Sequence, residues 1–267
     1  MSATPSRADR AAAFRVLHEG EPFLIPKPWD AGSARVLEAL GARALATTSS
    51  GFAYTLGRLD GSATLDEVVV HTSALVDATS LPLSVDLENG YGAAPEQAAG
   101  AIRRVAAAGA VGGSIEDWDP NGHLYALTHA VERVAAAVEA ARDVDLVLTA
   151  RAENHIRGNP DLDDTIARLR AYEEAGADVL YAPGLRSEAE IRAVCEAVSR
   201  PVNVLALPML SVPEIVRGGA RRISVGGGLT WVAVEAMAAA AERIRDQGDL
   251  SWLTGSARVK EWLGDAR

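Results

Sequence analysis

Cysteine is almost missing from this 267-residue chain, with Cys195 standing alone. That excludes an internal disulfide and any zinc site built from several thiolates. It also favours a reducing compartment, so a cytoplasmic location is expected. Lysine is nearly as scarce. Lys27 and Lys260 are the only two among 26 basic residues, which leaves 24 arginines. Enzymes that form a Schiff base, with pyridoxal phosphate or with substrate, therefore have almost no candidate nucleophile here. Basic residues as a class are outnumbered by 36 acidic ones, for a net charge of −10. This balance argues against nucleic-acid binding, which rests on Lys and Arg neutralising phosphates. No apolar run reaches the roughly 18 residues of a membrane span, and Met1–Arg10 lacks the apolar core of a signal peptide. What the chain does have is apolar content, 48% of it, enough to bury a large core. Its length is long for one ordinary domain but normal for one α/β barrel. No Pro/Ser-rich linker divides it, so residues 1–267 read as a single domain.

Short apolar runs recur, each after an Ala-rich helical stretch and a glycine. Four junctions look alike: Leu40-Gly41-Ala42, Ala108-Gly109-Ala110, Ala175-Gly176-Ala177 and Gly218-Gly219-Ala220. In each, the glycine suits the position just past a helix, where positive φ costs little, and a buried strand follows. The first three glycines are 68 and 67 residues apart, two βα units per interval. The pattern predicts eight strands, about 23–27, 44–50, 81–88, 112–117, 146–153, 179–184, 202–207 and 222–227. The helices between them are amphipathic. Over Val131–Arg142, Val131, Val134, Val138 and Ala141 form one stripe, with Glu132, Arg133 and Glu139 off it. Asp30 with Ser33, Pro95-Glu96, and Ser187 before Glu190 read as helix starts. Eight βα units predict a (β/α)₈ TIM barrel with an extra helix over 7–19 and one or two more over 230–263. An open dinucleotide-binding sheet would want a glycine-rich turn after strand 1, and Ile25-Pro-Lys-Pro-Trp29 is not one.

In such a barrel the active site lies at the C-terminal ends of the strands. Three acids are expected there. Asp86 and Glu88 are two apart, so on a strand both would face the same side, and Glu116 would stand roughly 5 Å away on the next strand. Converging acids repel unless a cation sits among them or a proton is shared. Oxygen ligands without His or Cys suit Mg²⁺ or Mn²⁺. The alternative is pairing of these acids with arginine. Arg151, closing strand 5, can hold a carboxylate or phosphonate in a bidentate grip, or be a structural ion pair with Glu116 or Glu153. Ser50-Gly51 offers a hydroxyl and backbone N–H groups at the strand 2 mouth, and Asn203 lies near the end of strand 7. Lys27 reads as a surface lysine, with the barrel mouth as its alternative. His18, His71 and His129 fall on predicted helices, and His155 follows strand 5.

Taken in order, these residues resemble the phosphoenolpyruvate mutase/isocitrate lyase superfamily. The likeness runs from Ile25-Pro-Lys-Pro-Trp-Asp-Ala-Gly-Ser-Ala-Arg35 through Ser50-Gly51, Leu56-Gly-Arg-Leu-Asp60 and Asp86-Leu-Glu-Asn-Gly-Tyr-Gly92. It continues with Ser114-Ile-Glu-Asp117, Thr149-Ala-Arg151, Gly176-Ala-Asp178 and Arg222-Ile-Ser-Val-Gly226. The resemblance implies a Mg²⁺- or Mn²⁺-dependent enzyme that cleaves a C–C or C–P bond of a small α-oxo or α-hydroxy carboxylate through an enolate. Asp86, Glu88 and Glu116 would serve the metal, and Arg151 and Asp60 would act in the site. Ser50, Gly51, Phe52 and Asn203 would contact substrate alongside Arg151. Family members also form homotetramers, often exchanging the last helix. An end carrying Trp252, Leu253, Trp262 and Leu263 would suit that, core packing being the alternative.

The departures narrow the expectation. The family's lyases carry Lys-Lys-Cys-Gly-His after strand 4, with the Cys as acid/base, whereas this chain has Asp117-Trp-Asp-Pro-Asn-Gly-His-Leu-Tyr125. Isocitrate-type cleavage is thereby disfavoured, and His123 or Tyr125 becomes the candidate acid, a solvated loop histidine being the bland alternative. Cys195, in a predicted helix, reads as a small buried apolar residue. The mutases place a lysine and an asparagine in this loop, and only Asn121 has a counterpart. The leading expectation is a carbon–carbon lyase or decarboxylase. A phosphonopyruvate-type mutase or hydrolase is the runner-up. Two further alternatives are a barrel binding phosphate at Gly226–Gly228 and a non-catalytic barrel that binds small acids.

Overall fold

The computed structural model describes residues 5–251, 253 and 258–263. Eight parallel strands stand where the apolar runs predict them: β1 (Phe23–Ile25), β2 (Leu45–Ala46), β3 (Leu83–Asp86), β4 (Gly112–Glu116), β5 (Val147–Arg151), β6 (Val179–Tyr181), β7 (Val202–Leu205) and β8 (Arg222–Ser224). Their order around the sheet is β1-β8-β7-β6-β5-β4-β3-β2. The Ala46 N–H donates to the Pro26 carbonyl (3.1 Å), which brings the two ends of that order together into a nearly closed barrel. The chain thus forms a (β/α)₈ barrel with extra terminal helices.

The repeated junction behaves as its glycines require. Gly41, Gly109, Gly176 and Gly219 have φ of 87°, 99°, 101° and 99°, a region that β-carbons disfavour. Helix starts follow the sequence as well. Asp30 accepts from the Ser33 N–H (2.7 Å), Pro95 opens its helix, and Ser187 accepts from the Glu190 N–H (3.2 Å).

The N-terminal helix, Arg7–Glu19, plugs the bottom of the barrel. Its Phe14 and Leu17 pack with Ile25, Val111, Val147 and Val179. Above that apolar plug the barrel interior is polar. Arg222 donates to Asn203 Oδ1 (2.9 Å) and Thr149 Oγ1 (2.9 Å), and its third nitrogen lies 3.3 Å from His18 Nε2.

Four local features differ from, or add to, what the sequence predicts. The segment 44–50 is strand only to Ala46; Ser49–Thr55 is a helix, capped by Thr48, whose hydroxyl accepts from the Gly51 N–H. The loop after β4 folds into a small hairpin, Trp118–Asp119 against His123–Leu124. Arg133, expected on the polar side of its helix, is 1% exposed. Lys27 is buried inside the barrel, not on its surface.

The last long helix, Gly228–Gln247, buries only Thr230 of its residues. A short helix, Arg258–Leu263, follows and meets Ala31–Ala39 through an Arg35 to Leu263 carbonyl bond of 3.2 Å. Trp252, part of the expected apolar end, lies outside the described residues. Among the described residues, no helix is long and apolar enough to cross a membrane.

Candidate active site

The strand ends deliver a ring of charge to the barrel mouth. β4 and β5 pair with Glu116 opposite Arg151, so parallel register alone brings that acid and base side by side. Arg151 then spans three carboxylates. Its guanidinium reaches Asp86 Oδ1 at 2.9 Å, Glu116 Oε2 at 2.9 Å and Glu153 Oε1 at 2.8 Å. Burial works against its charge, yet the three acids outweigh that and hold its pKa well above the ordinary value. The Tyr181 ring lies beneath, 5.2 Å from the guanidinium carbon. The sequence alternatives for Arg151 are therefore not exclusive. It is paired with both Glu116 and Glu153, and it also faces the cavity.

Glu88 does not share a strand face with Asp86. β3 ends at Asp86, and Glu88 has φ of 49°, a left-handed conformation that swings its side chain off the strand direction. Its carboxylate instead accepts from the Tyr91 hydroxyl (3.3 Å). Burial, with Asp86 and Asp60 nearby, pushes the Glu88 pKa up to about 7. Burial also raises Glu116, with Arg151 opposing and Glu153 and Asp86 adding to the rise. Asp86 goes the other way. Burial penalises its charge too, but Arg151 and Lys27 prevail and hold it below the usual carboxylate range. Lys27 Nζ is 4.0 Å from Asp86 Oδ2, and burial pulls the lysine down to about 8 against that attraction.

A cavity of about 320 Å³ opens above these groups, with Ser49, Asp60, Glu88, Glu116, Arg151 and Arg157 in its wall. Asp60, from the loop after the Ser49–Thr55 helix, is exposed at its rim. Arg157 adds a second cation, 3.2 Å from Glu116 Oε1 and 4.7 Å from the Trp118 ring centre. Among the described residues, no three Asp, Glu, His or Cys side chains already stand as a metal-ligand set. The Arg151 guanidinium stands between Asp86 and Glu116, 2.9 Å from an oxygen of each.

Other expected residues lie elsewhere. Ser49, not Ser50, lines the cavity, and its backbone N–H bonds the Asp86 carboxylate. The Ser50 hydroxyl is 3.2 Å from Thr48 Oγ1. Gly51 is packed so tightly that a β-carbon would meet Thr230 Oγ1 at 2.6 Å. Phe52 stacks on His71 in the core, ring centres 4.0 Å apart. Asn203 is buried one layer below the mouth, bonded to Arg222 and to Ser224 Oγ (3.0 Å). His123 is exposed on the hairpin and lines neither this cavity nor its neighbour. Tyr125 is buried, with its hydroxyl 3.1 Å from Asn89 Nδ2. At Gly226–Gly228, the middle glycine packs against Ser50 Oγ and the Trp231 ring. Cys195 is half-buried, and burial raises its thiol to about 12.

Sequence reasoning passed over Ser49, Arg157 and Trp118. Arg157 lies four residues beyond Glu153, a spacing that puts it back over the strand end, and this was the one available signal.

Comparison with known proteins bears on this geometry. A family profile described as phosphoenolpyruvate phosphomutase matches residues 14–245. The 2-methylisocitrate lyase of Escherichia coli K12 is 32% identical over 228 residues, covering 79% of this chain and 75% of its own. The oxaloacetate decarboxylase of Bradyrhizobium diazoefficiens is 31% identical over 221 residues, covering 74% and 72%. A Burkholderia cenocepacia J2315 protein of known structure, whose activity is given only as lyase or mutase, is 47% identical. It superposes with a TM-score of 0.92 over 96% of both chains. An oxaloacetate acetylhydrolase structure holding its product oxalate is 27% identical, with a TM-score of 0.85 over 95% of this chain and 93% of its own. The chain belongs to the phosphoenolpyruvate mutase/isocitrate lyase superfamily.

Proposed function

We propose that the protein is a divalent-metal-dependent lyase or decarboxylase that cleaves a C–C bond of a small α-oxo or α-hydroxy carboxylate through an enolate. The arrangement carrying this reading is Arg151, bridged to Asp86, Glu116 and Glu153 at the floor of an acidic cavity. A divalent cation fits the donor set. Asp60, Asp86, Glu88, Glu116 and Glu153 converge on this mouth, with Lys27, Arg151 and Arg157 the cations in contact with them. Burial first, and the neighbouring Asp86 and Asp60 after it, raise the pKa of Glu88. Asp86, Glu88 and Glu116 would hold Mg²⁺ or Mn²⁺ through oxygen. Once bound, the ion would supply positive charge against which an oxo acid can be held and an enolate stabilised.

The chain's own residues supply the rest. Arg151, fixed by three acids, presents its guanidinium to an incoming carboxylate without having to be reorganised at the moment of reaction. Arg157 stands over Trp118 at the cavity edge and adds a second donor. Of the two acid candidates, Tyr125 stands in the wall of the adjoining chamber. Burial raises its pKa, so it keeps its proton until a base as strong as an enolate carbon draws it off.

Assembly into a homo-oligomer, a tetramer by the family's habit, belongs to the same proposal. The helix Gly228–Gln247 exposes Trp231, Val232, Met237 and Ile244. Such an apolar face on an otherwise unburied helix supports cover by a second copy. A monomer mass by light scattering would remove that part.

The test is a screen of three- to six-carbon oxo and hydroxy acids, oxaloacetate and phosphonopyruvate included, with Mg²⁺ and with EDTA. Pyruvate or oxalate formation that disappears with EDTA and in Asp86→Asn is expected. Turnover indifferent to chelation would overturn the metal assignment. Turnover of phosphonopyruvate alone would favour the mutase or hydrolase reading.

A further inference from the structure

A second chamber, of about 310 Å³, adjoins the first. The two share Gly61, Glu88, Asn89 and Pro120 in their walls, so Glu88 and Asn89 form the divide. Its polar lining comes from Glu88, Asn89, Tyr91, Asp119, Asn121 and Tyr125. None of its described lining residues is Lys, Arg or His. Arg133 lies behind the Tyr125 ring, 4.4 Å from its centre, and is taken up by the carbonyls of Asn89, Gly92, Ala93 and Glu116, to which it donates. Asp119, 7% exposed, accepts from the Asn121 N–H at 2.7 Å and also bonds Tyr125, with His123 opposite it across the hairpin; among the described residues it has no Lys or Arg partner. Both cationic side chains facing the joined cavities, Arg151 and Arg157, stand in the first chamber.

We infer that the substrate carries its anionic end in the first chamber only, and that its distal group is a hydrogen-bond donor without negative charge, a hydroxyl or an ammonium. Two physical facts support this. A second carboxylate placed beyond Glu88 would stand beside Glu88 and Asp119, with no lysine or arginine among the described lining residues to receive it. A hydroxyl or ammonium there would instead find acceptors in Asp119, Glu88 and the Asn121 amide. The metal proposed for the first chamber does not alter this, since its charge is matched by Asp86, Glu88 and Glu116, and Asp119 stands apart from that set. The inference rests on the oxo-acid reading given above and narrows it, setting aside di- and tricarboxylates of the isocitrate kind as the natural substrate.

The test is calorimetric binding, with Mg²⁺ present, of oxalate, L-malate and 2,4-dihydroxybutanoate. The last two share a 2-hydroxy-acid end and differ at C4, carboxylate in one and hydroxymethyl in the other. The expected result is oxalate binding, with 2,4-dihydroxybutanoate bound about tenfold or more tighter than malate. Asp119→Asn should shrink that ratio several-fold, because it removes repulsion felt only by malate. Asp119→Ser, which keeps a hydroxyl near the Asn121 N–H, should do the same if the asparagine variant folds poorly. Oxalate binding with malate equal to or tighter than dihydroxybutanoate would overturn the inference and leave the oxo-acid reading standing. Failure of all three ligands, oxalate included, would overturn that reading and the inference with it.

Discussion

Arg151 Nη1 lies 2.9 Å from Asp86 Oδ1, although the two residues are 65 positions apart in the chain. The contact joins the end of β5 to the end of β3 across the intervening β4, whose Glu116 holds the same guanidinium. One cation therefore ties three strand ends into a single charged surface at the cavity floor.

Replacing Arg151 should separate catalysis from stability. Arg151→Lys keeps a charge but offers one ammonium where a fork meets three carboxylates. Turnover should fall by about 10²–10³-fold, as when a fixed transition-state donor is lost. Arg151→Met leaves Glu116 and Glu153 buried without their main partner and should cost about 3–5 kcal/mol in unfolding experiments. Turnover in Arg151→Lys within a factor of two of the parent would show that the guanidinium is structural only.

Glu88 predicts a pH dependence whose sign is fixed by the direction of its shift. Its pKa in the folded protein is raised from 4.5 to about 7. Folding therefore favours the protonated acid, and the associated stability is complete below pH about 4.5 and lost as pH rises through about 7. The side chain is partly exposed, so the full shift overstates the effect, and a loss of roughly 2 kcal/mol is expected. In metal-free buffer, denaturant midpoints of the parent should fall over that window, while those of Glu88→Gln should show a shallower slope. Equal slopes for the two proteins would sink the assignment. Added Mg²⁺ should recover the parent's loss above pH 7 if Glu88 serves the metal.

Arg133 offers a purely structural prediction. Its guanidinium donates to the carbonyls of Ala93 (3.0 Å), Gly92 (2.9 Å) and Glu116 (3.2 Å), and also to that of Asn89. It thereby pins the 89–93 loop, which carries the left-handed Tyr91, to β4. Arg133→Met strands these carbonyls in the interior and should cost about 2–4 kcal/mol. Arg133→Lys should recover only part of this, because one ammonium cannot span four acceptors. Thermal melts decide the matter, and unchanged melting of Arg133→Met would refute the role.

Much of this molecule could be read along the chain, for a reason visible in its repeats. Four of the βα units end their helix at a positive-φ glycine and then begin a buried strand, so one local rule, repeated at regular spacing between apolar runs, marks out the barrel. Placing Arg151 and Glu116 together followed from the same regularity, since both close their strands and parallel register pairs them. Legibility failed where backbone conformation breaks the period. Glu88 left the face it would share with Asp86 because its φ is positive, and nothing in Asp86-Leu-Glu88 signals that. Ser49 displaced Ser50 at the cavity because Thr48 caps a helix there, which turns the following residues through a helical phase. Arg133 and Lys27 were misplaced for a shared reason. Long basic side chains are usually solvated, and only tertiary structure shows when backbone carbonyls or a distant carboxylate make burial tolerable.

Lys27 gives the last prediction. It lies inside the barrel, its ammonium 4.0 Å from Asp86 Oδ2, too far for a hydrogen bond. Burial outweighs that attraction and lowers its pKa from 10.5 to about 8. A depressed lysine contributes stability above its unfolded pKa, and this is lost as pH falls through the folded value. At pH 7 the protein thus carries a penalty of about 3 kcal/mol for keeping this cation. Lys27→Met, close in length and without charge, should therefore raise the melting temperature at pH 7, and the gain should vanish toward pH 10.5. The same variant tests the metal site from beneath. The proposed metal acid, Asp86, is engaged by Arg151 on one oxygen and faces Lys27 with the other, so an incoming ion competes with two resident cations. Removing one of them should tighten Mg²⁺ binding several-fold in calorimetry without substrate, whatever happens to turnover. If Lys27→Met melts lower than the parent at pH 7 and binds Mg²⁺ no better, then Lys27 stabilises the ionised Asp86 rather than competing for it. The polar barrel interior would in that case be a support for the site and not a brake on its metal.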